Sequence, residues 1–245
     1  MDIRWSVFFE ETPDAGLRYV DWLASGWVWT TALALAAWVV ALAVGTLVGT
    51  IRTLPDRRAA AAGDAFVELF RNVPLLVQMF LWYFVLPELL PRGLGDWIKG
   101  VAPPWGPFVT AVIGLGLFTA ARVAEQVKAG IGALARGQKN AGLAIGLTLP
   151  QTYRHVLLPM AARLIVPPLT SEFMTIFKNS SVALTIGLLE LTAQARQMNE
   201  FTFRTYEAFG AATLLYLVTA LLVNRAMAWV ERQSRVPGLI GQGGH

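Results

Sequence analysis

From Gly26 to Ile51 the chain runs through 26 consecutive residues without a charged side chain or a histidine. As a helix, that length exceeds the roughly 30 Å hydrocarbon core of a bilayer. Inside hydrocarbon each backbone polar group must be paired within the segment, so an isolated apolar run of this length is restricted to a helix. Further runs follow. Asn72–Pro87 holds 16 uncharged residues rich in Leu and Phe, and continues a helix that contains Phe66, Leu69 and Phe70. Gly100–Ala121 holds 22, with an interfacial start at Pro103, Pro104 and Pro107. Arg163–Glu190 is apolar apart from Glu172 and Lys178, and Ala208–Asn224 extends to about Trp229. The chain therefore reads as an all-α membrane protein with five transmembrane helices, at about 26–51, 70–90, 105–125, 163–189 and 208–229. Only 15% of the residues are charged, against about a quarter in soluble domains.

Lys and Arg orient the spans. The segments Arg52–Arg71, Arg122–Arg163 and the tail after Asn224 hold four, six and three of them, thirteen in all; the alternate segments hold two each, six in all. That places residues 1–25 outside the membrane, and the long loop 126–159 and the tail 231–245 in the cytoplasm. Arg71 and Arg122 read as anchors at the cytoplasmic boundary. Trp22, Trp27, Trp29, Trp97 and Trp105 read as an outer aromatic belt, with Trp229 at the inner interface. Small residues one turn apart, Gly45 and Gly49 in the first span and Gly116 and Ala120 in the third, suit close helix packing. The net charge of +4 belongs to the cytoplasmic loops rather than to a nucleic-acid surface, since no basic run is interleaved with aromatics. Without cysteine the chain has no disulfide or thiolate metal site, and no metal site is expected. Met1–Asp21 lacks the short apolar core and small-residue cleavage site of a signal peptide.

The loop carries the most local structure. A helix is expected over about 136–145, with a small-residue surface at Ala141, Gly142 and Ala144, ended by Gly146 at positive φ. Thr148 and Gln151 form a capping box, with Pro150 in the tolerant first turn. Leu149, Tyr153, Val156 and Leu157 share one apolar face, and Pro159 stops the helix or kinks it into the fourth span. These features fit either an amphipathic helix lying on the bilayer or an element docked into a partner. In the fourth span, Glu172 and Lys178 are six residues apart and face well apart around a helix, so they do not pair directly. Ionisable groups at membrane depth tend to be functional. Lys178 either holds a substrate carboxylate, with Asn179 and Ser180 as neutral partners, or pairs with a carboxylate of a neighbouring helix or snorkels outward.

The run Asn140-Ala141-Gly142-Leu143-Ala144-Ile145-Gly146, nine residues, then Val156-Leu157-Leu158-Pro159 resembles the EAA loop of ABC-importer permeases. The family pattern is Glu-Ala-Ala, three residues, Gly, nine residues, Ile-x-Leu-Pro. Asn140 stands for the family's glutamate and Gly142 for its second alanine, so the match is one of shape and spacing without the charged anchor. Glu68-Leu69-Phe70-Arg71-Asn72-Val73-Pro74-Leu75-Leu76-Val77-Gln78 is similar to a segment of the polar-amino-acid branch, as are Pro167–Phe173 and Lys178-Asn179-Ser180-Ser181. Within that branch, Gly137–Ala141, Gly146–Gln151 and the acidic N-terminal extension most resemble the inner-membrane permease subunit of a glutamate/aspartate importer, with glutamine or basic amino acids as alternative cargo.

The resemblance implies two permease subunits, here with a paralogue as the second, two cytoplasmic ABC ATPases and an external amino-acid-binding protein, in a bacterial cytoplasmic membrane. It implies that Asn140, Ala141, Gly142, Gly146, Thr148, Gln151, Arg154 and Pro159 contact or position the ATPase. No G-x-x-x-x-G-K-[ST] loop is present, so the partner would bind ATP and this chain no cofactor. The sequence also lacks G-x-S-x-G and H-E-x-x-H, and His155 and His245 are its only histidines. No enzymatic role is expected. A secondary transporter, the main rival beside a channel, would show more spans and paired repeats.

Overall fold

The computed structural model describes residues 4–14, 16–134 and 136–234. Among them no strand forms, only helices and a single bridge between Glu11 and Arg18. Helix α1 is Tyr19–Ile51. It begins seven residues before the uncharged run because Asp21, in the first turn, accepts a hydrogen bond from the Arg18 amide at 2.8 Å and complements the helix dipole. Helix α2, Arg57–Asn72, starts at Asp56, whose carboxylate accepts from the amides of Arg58 and Ala59. Helix α3 follows at Leu75–Leu89, bent by 102° from α2. Pro74 forces the bend, because the residue before a proline is driven to extended backbone, and Val73 sits at φ −95°, ψ 127°. The second span was expected as one run over 70–90; the apolar segment instead divides at this turn. Gln78 seals it, its Nε2 donating to the carbonyls of Phe70 (2.9 Å) and Val73 (2.8 Å).

Helices α4 (Arg92–Lys99), α5 (Trp105–Gly132) and α6 (Arg136–Ala144) come next. Helix α7 then runs unbroken from Leu149 to Ile186, and α8 (Leu191–Thr202) and α9 (Thr205–Ser234) complete the described chain. Four of these helices are long and apolar enough to cross a membrane, or five spans if α2 and α3 count as one.

Pro159 does not stop α7, which continues through it. The turn before it, Tyr153–Leu157, is a π-turn in which the Leu158 amide bonds to Tyr153 O. A proline clashes with the carbonyl four residues back, and widening the turn carries that carbonyl away. The same device precedes Pro87 in α3, where Leu81–Val85 is a π-turn.

The longest helix contact joins α1 to α5. A Cβ built on Gly45 would lie 2.6 Å from Val123 Cβ, and one on Gly49 2.6 Å from Val127 Cβ. At these points the two helices touch backbone to side chain. Near the start of α1, Trp22 is only 5% exposed and packs edge-on against Tyr19 and Phe201. It belongs to the core, not to an aromatic belt. Trp27 donates to Thr219 Oγ1 on α9 at 2.7 Å.

Candidate functional site

Two regions bear on function: the turn between α6 and α7, and a polar cavity among α2, α5 and α7. The turn is a Schellman motif. Gly146 takes φ +89°, its amide donates to Leu143 O, and the Leu147 amide donates to Gly142 O, both at 3.1 Å. This pattern satisfies the carbonyls that α6 leaves open at its end. Thr148 and Gln151 then cap α7 reciprocally: Thr148 N donates to Gln151 Oε1 at 2.8 Å, and Gln151 N donates to Thr148 Oγ1 at 3.4 Å. The result is a rigid hairpin that presents Asn140, Ala141, Leu143, Ala144 and Ile145 to solvent, with Ile145 76% exposed. Gly146, Gln151, Arg154 and Pro159 are exposed as well.

Gly142 differs from the expectation. It is buried inside the hairpin, where a Cβ would lie 2.8 Å from Thr152 Cγ2. Its small size lets α6 lie against α7 and offers no surface to a partner.

The polar cavity, about 420 Å³, is lined by Arg71, Phe118, Arg122, Glu125, Gln126 and Glu172. Arg122 Nε lies 2.7 Å from Glu172 Oε2, but its N–H does not aim at that oxygen, which is left without a hydrogen bond. Arg71 Nη1 is 3.2 Å from Glu125 Oε1. The same oxygen accepts from Arg52 Nη2 at 2.9 Å, and Arg52 Nε reaches Asp64 at 2.6 Å. Arg71 and Arg122 keep about half of their side-chain surface exposed, whereas Glu172 is nearly buried. The cavity thus offers two guanidinium groups and two carboxylates, and both cations can exchange their present partners for a ligand's.

Of the four residues expected on a substrate pathway, only Glu172 lines this cavity. Ser180 is buried and donates to Phe177 O at 2.7 Å, which uses its hydroxyl within the helix. Lys178 is exposed, makes no ion pair among the described residues, and lines a separate, mostly apolar groove of about 410 Å³ between α7 and α9. Asn179 is half-buried beside it. The two arginines read as boundary anchors from sequence also form charged walls of the cavity. One signal was available: Arg122, Glu125 and Gln126 stand at i, i+3 and i+4 of α5, which puts three polar groups on one face. The partner of Arg122 lies fifty residues away and has no local signature. Among the described residues no group of three or more His, Cys, Asp and Glu side chains could hold a metal.

Residues 41–236 match the family model described as binding-protein-dependent transport system inner membrane component. Over 242 residues, 98% of both chains, the sequence is 48% identical to the glutamate/aspartate import permease protein GltJ of Escherichia coli (strain K12). It is 30% identical to the glutamine transport system permease protein GlnP of the same organism, over 85% of this chain and 90% of that one. The fold matches a solved amino acid ABC transporter crystallised with histidines, with TM-score 0.72 and 28% identity over 88% of this chain and 95% of the other. A methionine ABC transporter matches with TM-score 0.69 at 21% identity, over 88% and 97%, and shows likeness of fold alone.

Proposed function

The chain belongs to the family of binding-protein-dependent transport system inner membrane components, and on that premise we propose that this amino-acid ABC permease carries glutamate and aspartate. The observation that carries the substrate reading is its full-length likeness to a glutamate/aspartate import permease. The cavity chemistry supports it. An acidic amino acid brings two carboxylates and one ammonium, and the cavity offers Arg71 and Arg122 for the first and Glu172 for the second. A substrate arriving there would exchange an ill-aligned Arg122–Glu172 contact for aligned, charge-assisted ones.

In this reading the N-terminus lies outside and the C-terminus in the cytoplasm of a bacterial cell, as the Lys and Arg distribution favours. The α6–α7 hairpin seats in a separate ATPase, which binds and hydrolyses ATP. Asn140, Ala141, Leu143 and Ile145 face that subunit; Gly146, Thr148 and Gln151 hold the hairpin's shape. A paralogous permease completes the channel, and an external binding protein delivers the amino acid. Lys178 and Asn179 lie off the Arg71–Arg122 cavity and are not assigned a substrate contact.

The test is uptake of radiolabelled L-glutamate into proteoliposomes that hold both permeases and the ATPase, with binding protein and ATP supplied. Aspartate should compete, and glutamine and arginine should not. Arg122→Met should abolish uptake while the ATPase still co-purifies. Uptake without the ATPase would overturn the transporter class, and equal competition by glutamine would overturn the substrate.

A further inference from the structure

One polar connection joins the hairpin to the first span. Tyr153, 6% exposed, opens the π-turn of α7. Its hydroxyl donates to the backbone oxygen of Thr53 at 2.8 Å and lies 3.2 Å from Thr53 Oγ1, whose own proton goes to Thr50 O at 2.7 Å. Thr53 stands in the turn between α1 and α2, next to Arg52. The Arg52 side chain is 6% exposed and is itself bound to Asp64 on α2 and Glu125 on α5. A single phenolic oxygen therefore ties the start of α7 to a turn already cross-linked to two further helices.

The π-turn is what aims it. A widened turn holds one residue more than an α-turn, which rotates everything before it by about 100° relative to the helix beyond. Leu157, Ala161 and Ile165 keep their places in the core against Val123, Val127 and Ile131, while Tyr153 is swung onto the α1–α2 turn. Pro159 makes the widened turn favourable. A residue chosen only to fill the core at 153 would need no hydroxyl, and this one bonds the backbone of a residue a hundred positions away.

We propose that Tyr153 is a positioning residue for energy coupling: its bond to Thr53 makes the hairpin, the α1–α2 turn and α5 move as one body when the ATPase closes. The proposal rests on the hairpin being the ATPase-docking element. Without the tether, ATPase closure would tilt the hairpin about the π-turn, and hydrolysis would proceed with less transport.

The test uses the complete permease–ATPase complex in liposomes, with binding protein and L-glutamate, and measures glutamate imported per ATP hydrolysed. Tyr153→Phe keeps the ring and removes the hydroxyl. The ATPase should still co-purify and basal hydrolysis should be unchanged, while the import-to-hydrolysis ratio falls about threefold to tenfold, the factor that corresponds to one net hydrogen bond. Thr53→Val retains the carbonyl acceptor and should fall by less than about twofold. A chain without native cysteine also permits spin labels at Gly137→Cys, where nothing lies within 4 Å of a Cβ, and at Arg57→Cys. Their distance distribution should be narrow in the wild type with and without ATP, and broad in Tyr153→Phe. An unchanged ratio, or an unchanged distribution, in Tyr153→Phe with the ATPase bound would overturn the proposal. If the wild-type chain fails to co-purify with the ATPase, the docking reading fails instead.

Discussion

Replacing Gly45 or Gly49 with alanine tests whether α1 and α5 meet as closely as their backbones indicate. The new methyl at 45 would lie 2.6 Å from Val123 Cβ and 2.8 Å from Ala120 O; at 49 it would lie 2.6 Å from Val127 Cβ and 2.8 Å from Ala124 O. Ordinary contact begins at 3.4 Å, so the helices must part locally by about 0.8 Å, the difference between 3.4 and 2.6. Because backbone carbonyls flank both sites, no rotamer change relieves the clash. Overpacking of this kind costs about 1–3 kcal/mol, and the better helix propensity of alanine offsets up to about 1 kcal/mol. Each single variant should lose about 1–2 kcal/mol on balance. The two sites lie one turn apart on one face and meet Val123 and Val127, also one turn apart, so a separation that admits one methyl admits the other. The double variant should therefore cost at least about 1 kcal/mol less than the sum of the singles. Equilibrium unfolding in detergent micelles, followed by tryptophan fluorescence, reads all three values. Single variants as stable as the wild type, or a double variant at the full sum, would refute the close contact.

Gln78→Glu should destabilise more than Gln78→Leu in the same assay. Glutamate cannot donate to the Phe70 and Val73 carbonyls and places its charge against them, and each bond lost at this buried site costs about 1–3 kcal/mol. Gly146→Val should lower co-purification of the ATPase, whereas Gly146→Asn should retain it. Nothing lies within 4 Å of a Cβ there, so only the φ of +89° matters, and asparagine tolerates that region where a β-branched residue does not. Glu190 is fully buried at the cap of α8. Burial pushes its carboxyl above the ordinary range, against hydrogen bonds from Thr192, Tyr216, Ala193 and Thr30. An acid whose folded pKa is raised stabilises the fold below its unfolded value, near 4.5, and loses that contribution as pH rises through the folded value. The melting temperature of the wild type should therefore decline from pH 4.5 upward more steeply than that of Glu190→Gln; equal slopes would exclude Glu190 as the cause.

Features that depend on neighbours in sequence were legible without coordinates. The uncharged run in α1, the Thr148–Gln151 cap and the left-handed Gly146 each follow from residues within a few positions of one another. Directions were not. Hydropathy cannot distinguish a straight span from one that turns by 102°, and Pro74, Pro87 and Pro159 carry the same local signal. Of the three only Pro74 breaks its helix; a π-turn precedes each of the other two and relieves the clash there. Trp22 was assigned to a belt by type and height, but Tyr19 and Phe201 enclose it. The positive-inside rule, which reads Arg122 as an anchor, counts charges and ignores partners, and the partner of Arg122, Glu172, lies on another helix. Ser180 and Lys178, two positions apart, look like one site in sequence; the helix turns one inward and the other into a groove.

The unbroken course of α7 has a mechanical consequence. Its 38 residues span roughly 55 Å at the α-helical rise, from the hairpin through Glu172 to the far end of the bundle. A break at Pro159 would have left the hairpin hinged on the span, and motion at the loop would have dissipated there. With the Tyr153–Thr53 bond holding the hairpin across the π-turn, a displacement at Thr148 would reach Glu172 along one continuous helix. Arg122 stands on α5, which the Arg52 network ties to α2. Relative sliding of α7 and α5 is opposed by Gly130, where a Cβ would lie within 2.3 Å of Ile165 Cγ2. The hairpin would then either rotate α7 about its own axis, which changes the Arg122–Glu172 contact, or carry α5 along with it, which preserves that contact. The Tyr153–Thr53 bond opposes the first and favours the second. Movement of α7 and α5 together would carry the Arg122–Glu172 contact through intact.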